Sequence, residues 1–289
     1  MNTLMRNFYD IRITAQHEQS WAIIIGSYVL DCILVILLLF FVYPISFFSS
    51  IEEVTNGIIN STLIGSLALS LVILVFMIRI GGKVKFSHLG LVPSHLPKGL
   101  LIYGGVYVLL NLTLLIINWI VRTRPIWYPY WEEVGSFSIA FGYLLAQIFG
   151  NVLFEEVYFR GFLWAQLSIK FTNLFRNKPV LGLNIGALVS NLLFALLHIP
   201  VRILNGLVGW DLLLSLLIVF GLGFLFTFVY LITENLFASM AIHILLNVSF
   251  VFFNPIFDAS TLCLIITGVL MVVWLIIKLQ KHKSQKAQS

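Results

Sequence analysis

Residues 137–169 read FSIAFGYLLAQIFGNVLFEEVYFRGFLWAQLSI, and this run decides the fold. It has no turn signal and is long enough to cross a hydrocarbon core, which takes about 20 apolar residues. Yet Glu155, Glu156 and Arg160 lie within it, flanked on all sides by Leu, Val, Phe, Tyr and Trp. A wet helix would surround such charges with other polar groups. The segment therefore reads as a membrane helix, and ionisable residues inside one are costly enough to be functional candidates by default.

Composition extends this reading to the whole chain. Of 289 residues, 60% are apolar or aromatic and 10% are charged, against roughly half and about a quarter in an average soluble domain. Too little polar surface remains to cover the apolar part in water. That excludes an ordinary soluble enzyme, a disordered chain and a nucleic-acid-binding module. Eight spans are expected, near Ala22–Val42, Ile58–Ile78, Leu100–Val121, Phe137–Phe159 (continuing to about Ile169), Val180–Ile199, Leu212–Ile232, Leu236–Phe253 and Leu262–Ile277. The fold class is all-α, a polytopic transmembrane helix bundle. No internal repeat or low-complexity segment divides residues 1–289, so a single integral membrane domain is expected. Cys32 and Cys263 lie in apolar stretches and suggest neither a disulfide framework nor a thiolate metal site. The first 20 residues are mixed and polar, and the run after them is too long for a signal peptide.

The net charge of +5 is read as topology. With a cytoplasmic N-terminus, that side holds Arg6, Arg12, Arg79, Lys83, Lys85, Lys98, Lys170, Arg176, Lys178, Lys278, Lys281, Lys283 and Lys286. The other side holds only Arg122, Arg124 and Arg202. Both termini are thus expected in the cytoplasm, with residues 279–289 a basic tail. Trp21, Trp119, Trp127, Tyr128, Tyr130, Trp131 and Trp210 fall near span edges, as in ordinary interfacial belts. Lipid is the partner this implies; nucleic acid is not.

Besides Glu155, Glu156 and Arg160, the spans contain Asp31, His198, His243, Asn191 and Asn247. Glu156 and Arg160 are four apart and share a face, so they form an ion pair. Glu155 is turned from Glu156 by about 100°, which divides the two: one neutralised, one free for chemistry. Asn191 and His198 share a face, with Phe194 between them, and His243 and Asn247 share another. Three helices can then aim Glu155, His198, His243 and Asn247 at one cavity. Glu155 and His198 are equidistant from the turn near Arg176, so their depths match. His243 starts too near its span edge for simple rulers, and a kink or tilt is required. Asp31, without a partner, is read as a packing or proton-linked residue. Asp211 falls at a span edge, and His17, His88, His95 and His282 lie in polar segments.

Such a cluster has the parts for attack on a peptide carbonyl without a covalent intermediate. A glutamate shielded from bulk water takes a proton from a water molecule, one histidine holds that water, and a second histidine with an asparagine offers donors to an oxyanion. Glu155, His198 and His243 are equally a zinc set with an open position. Residue types alone leave both routes open. The bland reading, polar residues as glue between helices, competes with each histidine taken singly.

At these positions the sequence resembles the CPBP intramembrane protease family, also called the CAAX-protease and bacteriocin-processing or Abi family. Its three motifs read here EEVYFR (Glu155–Arg160), FALLH (Phe194–His198) and HILLN (His243–Asn247). The similarity covers residues 137–253, a catalytic core within the bundle. The resemblance implies that Glu155 activates water, His198 helps to hold it, and His243 with Asn247 stabilises the oxyanion. Glu156, Arg160, Asn191 and Phe194 would support them. Members are described both as glutamate-dependent and as metalloproteases; no cofactor is the favoured expectation and Zn2+ the alternative.

The function expected is an intramembrane endopeptidase acting on a small membrane-associated peptide or protein. By analogy with compact family members, the chain would be bacterial and multi-pass in the plasma membrane. A non-catalytic immunity or regulatory partner is the competing class. A proton-coupled transporter ranks last, for want of the inverted repeats and broken helices of many transporters.

Overall fold

The computed structural model describes residues 17–288. Arg6 and Arg12 lie outside the described residues, as do the side chains of Lys278, Lys281, Lys283 and Lys286. The described chain is helical, its only extended pairing an isolated bridge between Trp127 and Phe253. Seven helices have the length and apolar character to cross a membrane. These are α1 (Trp21–Val42), α2 (Ser61–Gly81), α3 (Pro93–Arg122), α4 (Phe137–Leu174), α5 (Pro179–Leu204), α6 (Gly209–Thr233) and, after a shorter α7 (Leu236–Asn247), α8 (Ala259–Gln288). The chain is a polytopic helical bundle.

Helix α4 is its axis. Every residue from Phe154 to Ile169 is buried, whereas the other spans keep large apolar side chains outward, such as Leu101 and Ile120 at 75% exposure each. A charged helix in a bilayer protein must face the bundle interior, and α4 carries the charges. Two stretches of it, Gln147–Asn151 and Glu156–Leu163, are wound as π-helix. An i→i+5 closure adds a residue to the turn and re-aims every side chain beyond it.

The α4–α5 hairpin is closed by small residues. Gly182 and Gly186 form a G-x-x-x-G stripe on α5 against Thr172 and Ser168 of α4. A Cβ added at Gly182 would stand 2.5 Å from the Thr172 nitrogen, and one at Gly186 2.5 Å from Ser168 Oγ. Such stripes let membrane helices approach closely and so fix their register. Helix α1 is bound to the same pair: Tyr158 Oη donates to Ser27 Oγ at 3.0 Å and Tyr28 Oη to the Leu193 carbonyl at 3.0 Å.

The expected span Leu236–Phe253 needs correction. Its helix stops at Asn247, and 12 residues rise only about 18 Å. Residues 248–254 continue without helix, because β-branched and aromatic residues followed by Asn254-Pro255 disfavour it. Their backbone is satisfied by the chain after α3: Tyr128 N donates to Phe252 O at 3.0 Å, Tyr130 N to Val251 O at 2.8 Å and Asn254 N to Ile126 O at 3.0 Å. Asn111 Oδ1 accepts from Phe252 N at 2.9 Å. Trp127 stacks on Phe252, centroids 5.4 Å apart, and Trp131 meets Phe250, Phe252 and Phe137. Several expected belt aromatics thus form one cap at this end of the bundle.

The start of α7 explains why the depth ruler failed for His243. The α6–α7 turn is recessed within the bundle: Asn235 is 2% and Leu236 0% exposed. The segment before α3 folds over it, with Val84 and Leu89 buried and Asn235 Nδ2 donating to the His95 carbonyl at 2.9 Å. Helix α7 therefore begins deep, which helps bring His243 to the level of Glu155.

Candidate active site

The α4–α5 register sets Glu155 opposite His198, and their equal distance from the turn translates into proximity. His198 Nε2 stands 3.8 Å from Glu155 Oε1. The other ring nitrogen, Nδ1, is 2.8 Å from the Phe194 carbonyl one turn earlier, so it carries the hydrogen and Nε2 presents a lone pair. Helix α7 brings His243 to the opposite oxygen, with Nε2 3.4 Å from Glu155 Oε2. Asn151, one turn before Glu155, is a hydrogen-bond neighbour of its carboxyl.

Glu156 has quite different surroundings. Its Oε1 accepts from His243 Nδ1 at 2.8 Å and stands 3.2 Å from Arg160 Nη1, and its Oε2 accepts from Ser239 Oγ at 2.7 Å. Arg160 Nη2 donates to the Gly223 carbonyl at 3.3 Å. The guanidinium packs over the Phe194 ring at 4.3 Å and the Phe226 ring at 5.2 Å, where ring faces attract the cation. Phe226 also stacks on His243, centroids 4.1 Å apart. One imidazole therefore faces both glutamates, hydrogen-bonded to Glu156 through Nδ1 and 3.4 Å from Glu155 at Nε2. The α-helical rotation expected between Glu155 and Glu156 separates their carboxyls, yet both reach the same ring.

Glu155 and His198 line a cavity of about 240 Å³. Leu38, Leu69, Leu197 and Val201 form apolar walls, and Tyr43 and Ser66 are among its polar lining. The site is thus bordered by α1, α2, α4 and α5. A larger apolar groove of about 460 Å³ between α4, α5 and α6 touches none of these ionisable groups.

The remaining expected residues are more dispersed. Asn247 is exposed, and its Nδ2 donates to Gln147 Oε1 at 2.9 Å instead of meeting Glu155. Asn191 Nδ2 donates to Thr227 Oγ1 at 3.2 Å, joining α5 to α6. Asp31 is fully buried with no partner for either oxygen, and it acts electrostatically on Tyr158 and Glu155. Among the described residues, no group of three His, Cys, Asp or Glu is placed to hold a metal ion. The two imidazoles face different oxygens of Glu155, at 3.4 and 3.8 Å.

Two helices carry polar stripes of which the sequence reading noted only part. Gln147, Asn151 and Glu155 recur every fourth residue on α4, as do Ser239, His243 and Asn247 on α7. Helical spacing puts each set on one face, and the faces meet antiparallel, Gln147 with Asn247 and Glu155 with His243.

Residues 137–249 match the family model described as Rce1-like, type II CAAX prenyl endopeptidase Rce1-like. This part of the chain is similar to that family. The matched segment contains all three motifs and runs from the start of α4 through α7, so it holds both imidazoles that face Glu155. A CAAX-type protease core within a multi-pass membrane protein is the reading this match supports. No curated protein matches the chain. No solved structure matches it either.

Proposed function

We propose that the protein is an intramembrane endopeptidase that hydrolyses a peptide bond in a small membrane-associated peptide or protein by a glutamate-activated water. The observation that carries this reading is the 3.8 Å gap between Glu155 Oε1 and His198 Nε2 at the cavity wall. It is too long for a direct hydrogen bond and suits a bridging water. Both flanking atoms are acceptors, so such a water donates one hydrogen to each and turns its lone pairs toward the cavity. Glu155 takes one proton as the oxygen attacks the carbonyl carbon, and returns it to the departing amine when the C–N bond breaks.

His243 completes the arrangement. Its Nδ1–H is committed to Glu156, so Nε2 and Glu155 Oε2 face each other as two acceptors until one of them holds a proton. While that proton is on Nε2, His243 is a donor for the oxyanion. Asn247 has a second Nδ2 hydrogen to offer at the next turn. Glu156, Arg160 and Phe194 position His243 and His198. The favoured reading needs no cofactor, and the excess of basic residues on one side supports a cytoplasmic location for both termini.

The test is cleavage of a peptide pool by purified wild type and Glu155→Ala in proteoliposomes. Wild type is expected to cleave and the variant to lose at least ~10²-fold in rate. Equal cleavage by both disproves the mechanism.

A further inference from the structure

On its α1–α2 side, the cavity of Glu155 and His198 is lined by hydroxyls that nothing in the bundle engages. Tyr43, just past the end of α1, lines it together with Thr62 and Ser66 of α2. Leu38–Val42 are wound as π-helix, and Tyr43 N donates to the Leu38 carbonyl at 2.8 Å. That wider turn stacks Tyr43 over Leu38, and both reach the cavity. Helix α2 makes room for the phenol, since a Cβ added at Gly65 would overlap Tyr43 Oη. The next residue, Ser66, packs on α4, where a Cβ added at Gly150 would stand 3.1 Å from Ser66 Cβ. Ser66 is 4% exposed, so its hydroxyl serves the interior and not the lipid.

Among the described residues, no hydrogen bond engages Tyr43 Oη, Thr62 Oγ1 or Ser66 Oγ. Hydroxyls on helices can bond back to the carbonyl one turn earlier, as Thr113 does to Leu109 and Thr233 to Val229, each at 2.7 Å. Ser66 makes no such bond to Thr62. Two walls of one cavity are thus polar, one with the reacting groups and one with free hydroxyls.

A peptide bond inside a helix has its carbonyl tied to the N–H four residues on, so the segment to be cut must unwind. In hydrocarbon each unwound peptide unit leaves an N–H and a C=O without partners, which is costly. A cavity of about 240 Å³ admits only a few residues of extended chain, each covering about 3.3 Å. A hydroxyl on its second wall therefore meets a peptide unit next to the one under attack.

We propose that Tyr43 and Ser66 hydrogen-bond the backbone of the unwound substrate beside the bond cut at Glu155. The substrate is then chosen for a segment able to leave the helix more than for any one side chain. This deepens the endopeptidase reading above and rests on it. Both hydroxyls bind substrate and move no proton in the reaction.

The experiment starts from one quenched-fluorescent peptide that wild type cleaves in proteoliposomes. It is remade with one backbone amide at a time replaced by an ester, on either side of the cut bond, which removes an N–H and weakens a C=O. Wild type, Tyr43→Phe, Ser66→Ala, the double variant and Glu155→Gln are compared, with products identified by mass. For wild type, an ester within two residues of the cut should lower kcat/KM by about three- to tenfold, chiefly through KM, as for one lost hydrogen bond. Tyr43→Phe and Ser66→Ala should cleave the all-amide peptide correspondingly less well, and in the double variant the amide-to-ester ratio should fall near one. A purely structural hydroxyl would slow amide and ester peptides alike, so an undiminished ratio in the double variant overturns the proposal. So does a wild type that is indifferent to every ester. Should Tyr43→Phe not fold, the ratio in Ser66→Ala decides by the same criterion. Failure of the activity itself looks different: Glu155→Gln as fast as wild type, or no all-amide peptide cleaved by wild type.

Discussion

Glu156 and Glu155 are adjacent on α4 but lie in opposite surroundings. Glu156 meets a hydroxyl, an imidazole and a guanidinium, all within 3.2 Å. Glu155 faces two imidazole nitrogens at 3.4 and 3.8 Å and an open cavity. A buried charge is tolerable when paired and hydrogen-bonded, which describes Glu156. A carboxyl left with loosely held neighbours and room for water is suited to exchanging protons, which describes Glu155. On the proposed mechanism, the boundary between scaffold and chemistry runs between two consecutive residues.

Exchanging the damage tests that boundary. Glu155→Gln keeps the side-chain volume and removes the base, so the rate should fall by ~10²–10⁴-fold with little change in thermal unfolding in detergent. Glu156→Gln should act on the fold, because Arg160 is left as a buried, unpaired cation. Breaking a buried pair in this way costs about 3–5 kcal/mol, read as a lowered unfolding midpoint. If Glu156→Gln unfolds like wild type, the partition of the two carboxyls is wrong.

A smaller effect is expected from the hairpin that sets the register. Gly186→Leu forces a side chain against Ser168, where even a Cβ would stand 2.5 Å from Oγ. Overpacking of this kind costs about 1–3 kcal/mol. Because α4 and α5 must part to admit the leucine, His198 moves from Glu155, and activity should fall further than stability does. Unchanged kcat in a folded Gly186→Leu protein would show that the hairpin does not set the gap between these residues.

Much of this was legible in the sequence because a membrane makes polar residues conspicuous. Glu156–Arg160, Phe194–His198 and the equal depths of Glu155 and His198 follow from helical spacing and one turn, and the structure brings these groups together. What escaped depends on backbone that departs from ideal helices. The π-helical stretches of α4 leave no mark in an apolar sequence, and nothing in Leu236–Phe253 signals by hydropathy that its helix ends at Asn247. The recessed start of α7 depends on packing of the segment before α3, a long-range effect. Ser239 and Asn151 were within reach: each lies one turn before a residue already singled out, but a lone Ser or Asn in a span reads as helix packing.

Ser239 gives the smallest effect and the most discriminating one. Its hydroxyl donates to Glu156 Oε2 at 2.7 Å and also approaches the Phe226 carbonyl at 3.0 Å. Ser239→Ala removes one charge-assisted hydrogen bond and leaves Glu156 held by His243 and Arg160. A loss of about 1.5–3 kcal/mol is expected for a bond to a charged group, toward the lower end here because the hydroxyl is shared. The imidazole keeps its bond to Oε1, so His243 Nε2 should still face Glu155 and KM should hold. The checks are the unfolding midpoint and the kinetics on the same preparation. If kcat instead falls as far as in Glu155→Gln, with the fold intact, then Glu156 does more than position His243, and proton movement in the site extends through the imidazole to the second carboxyl.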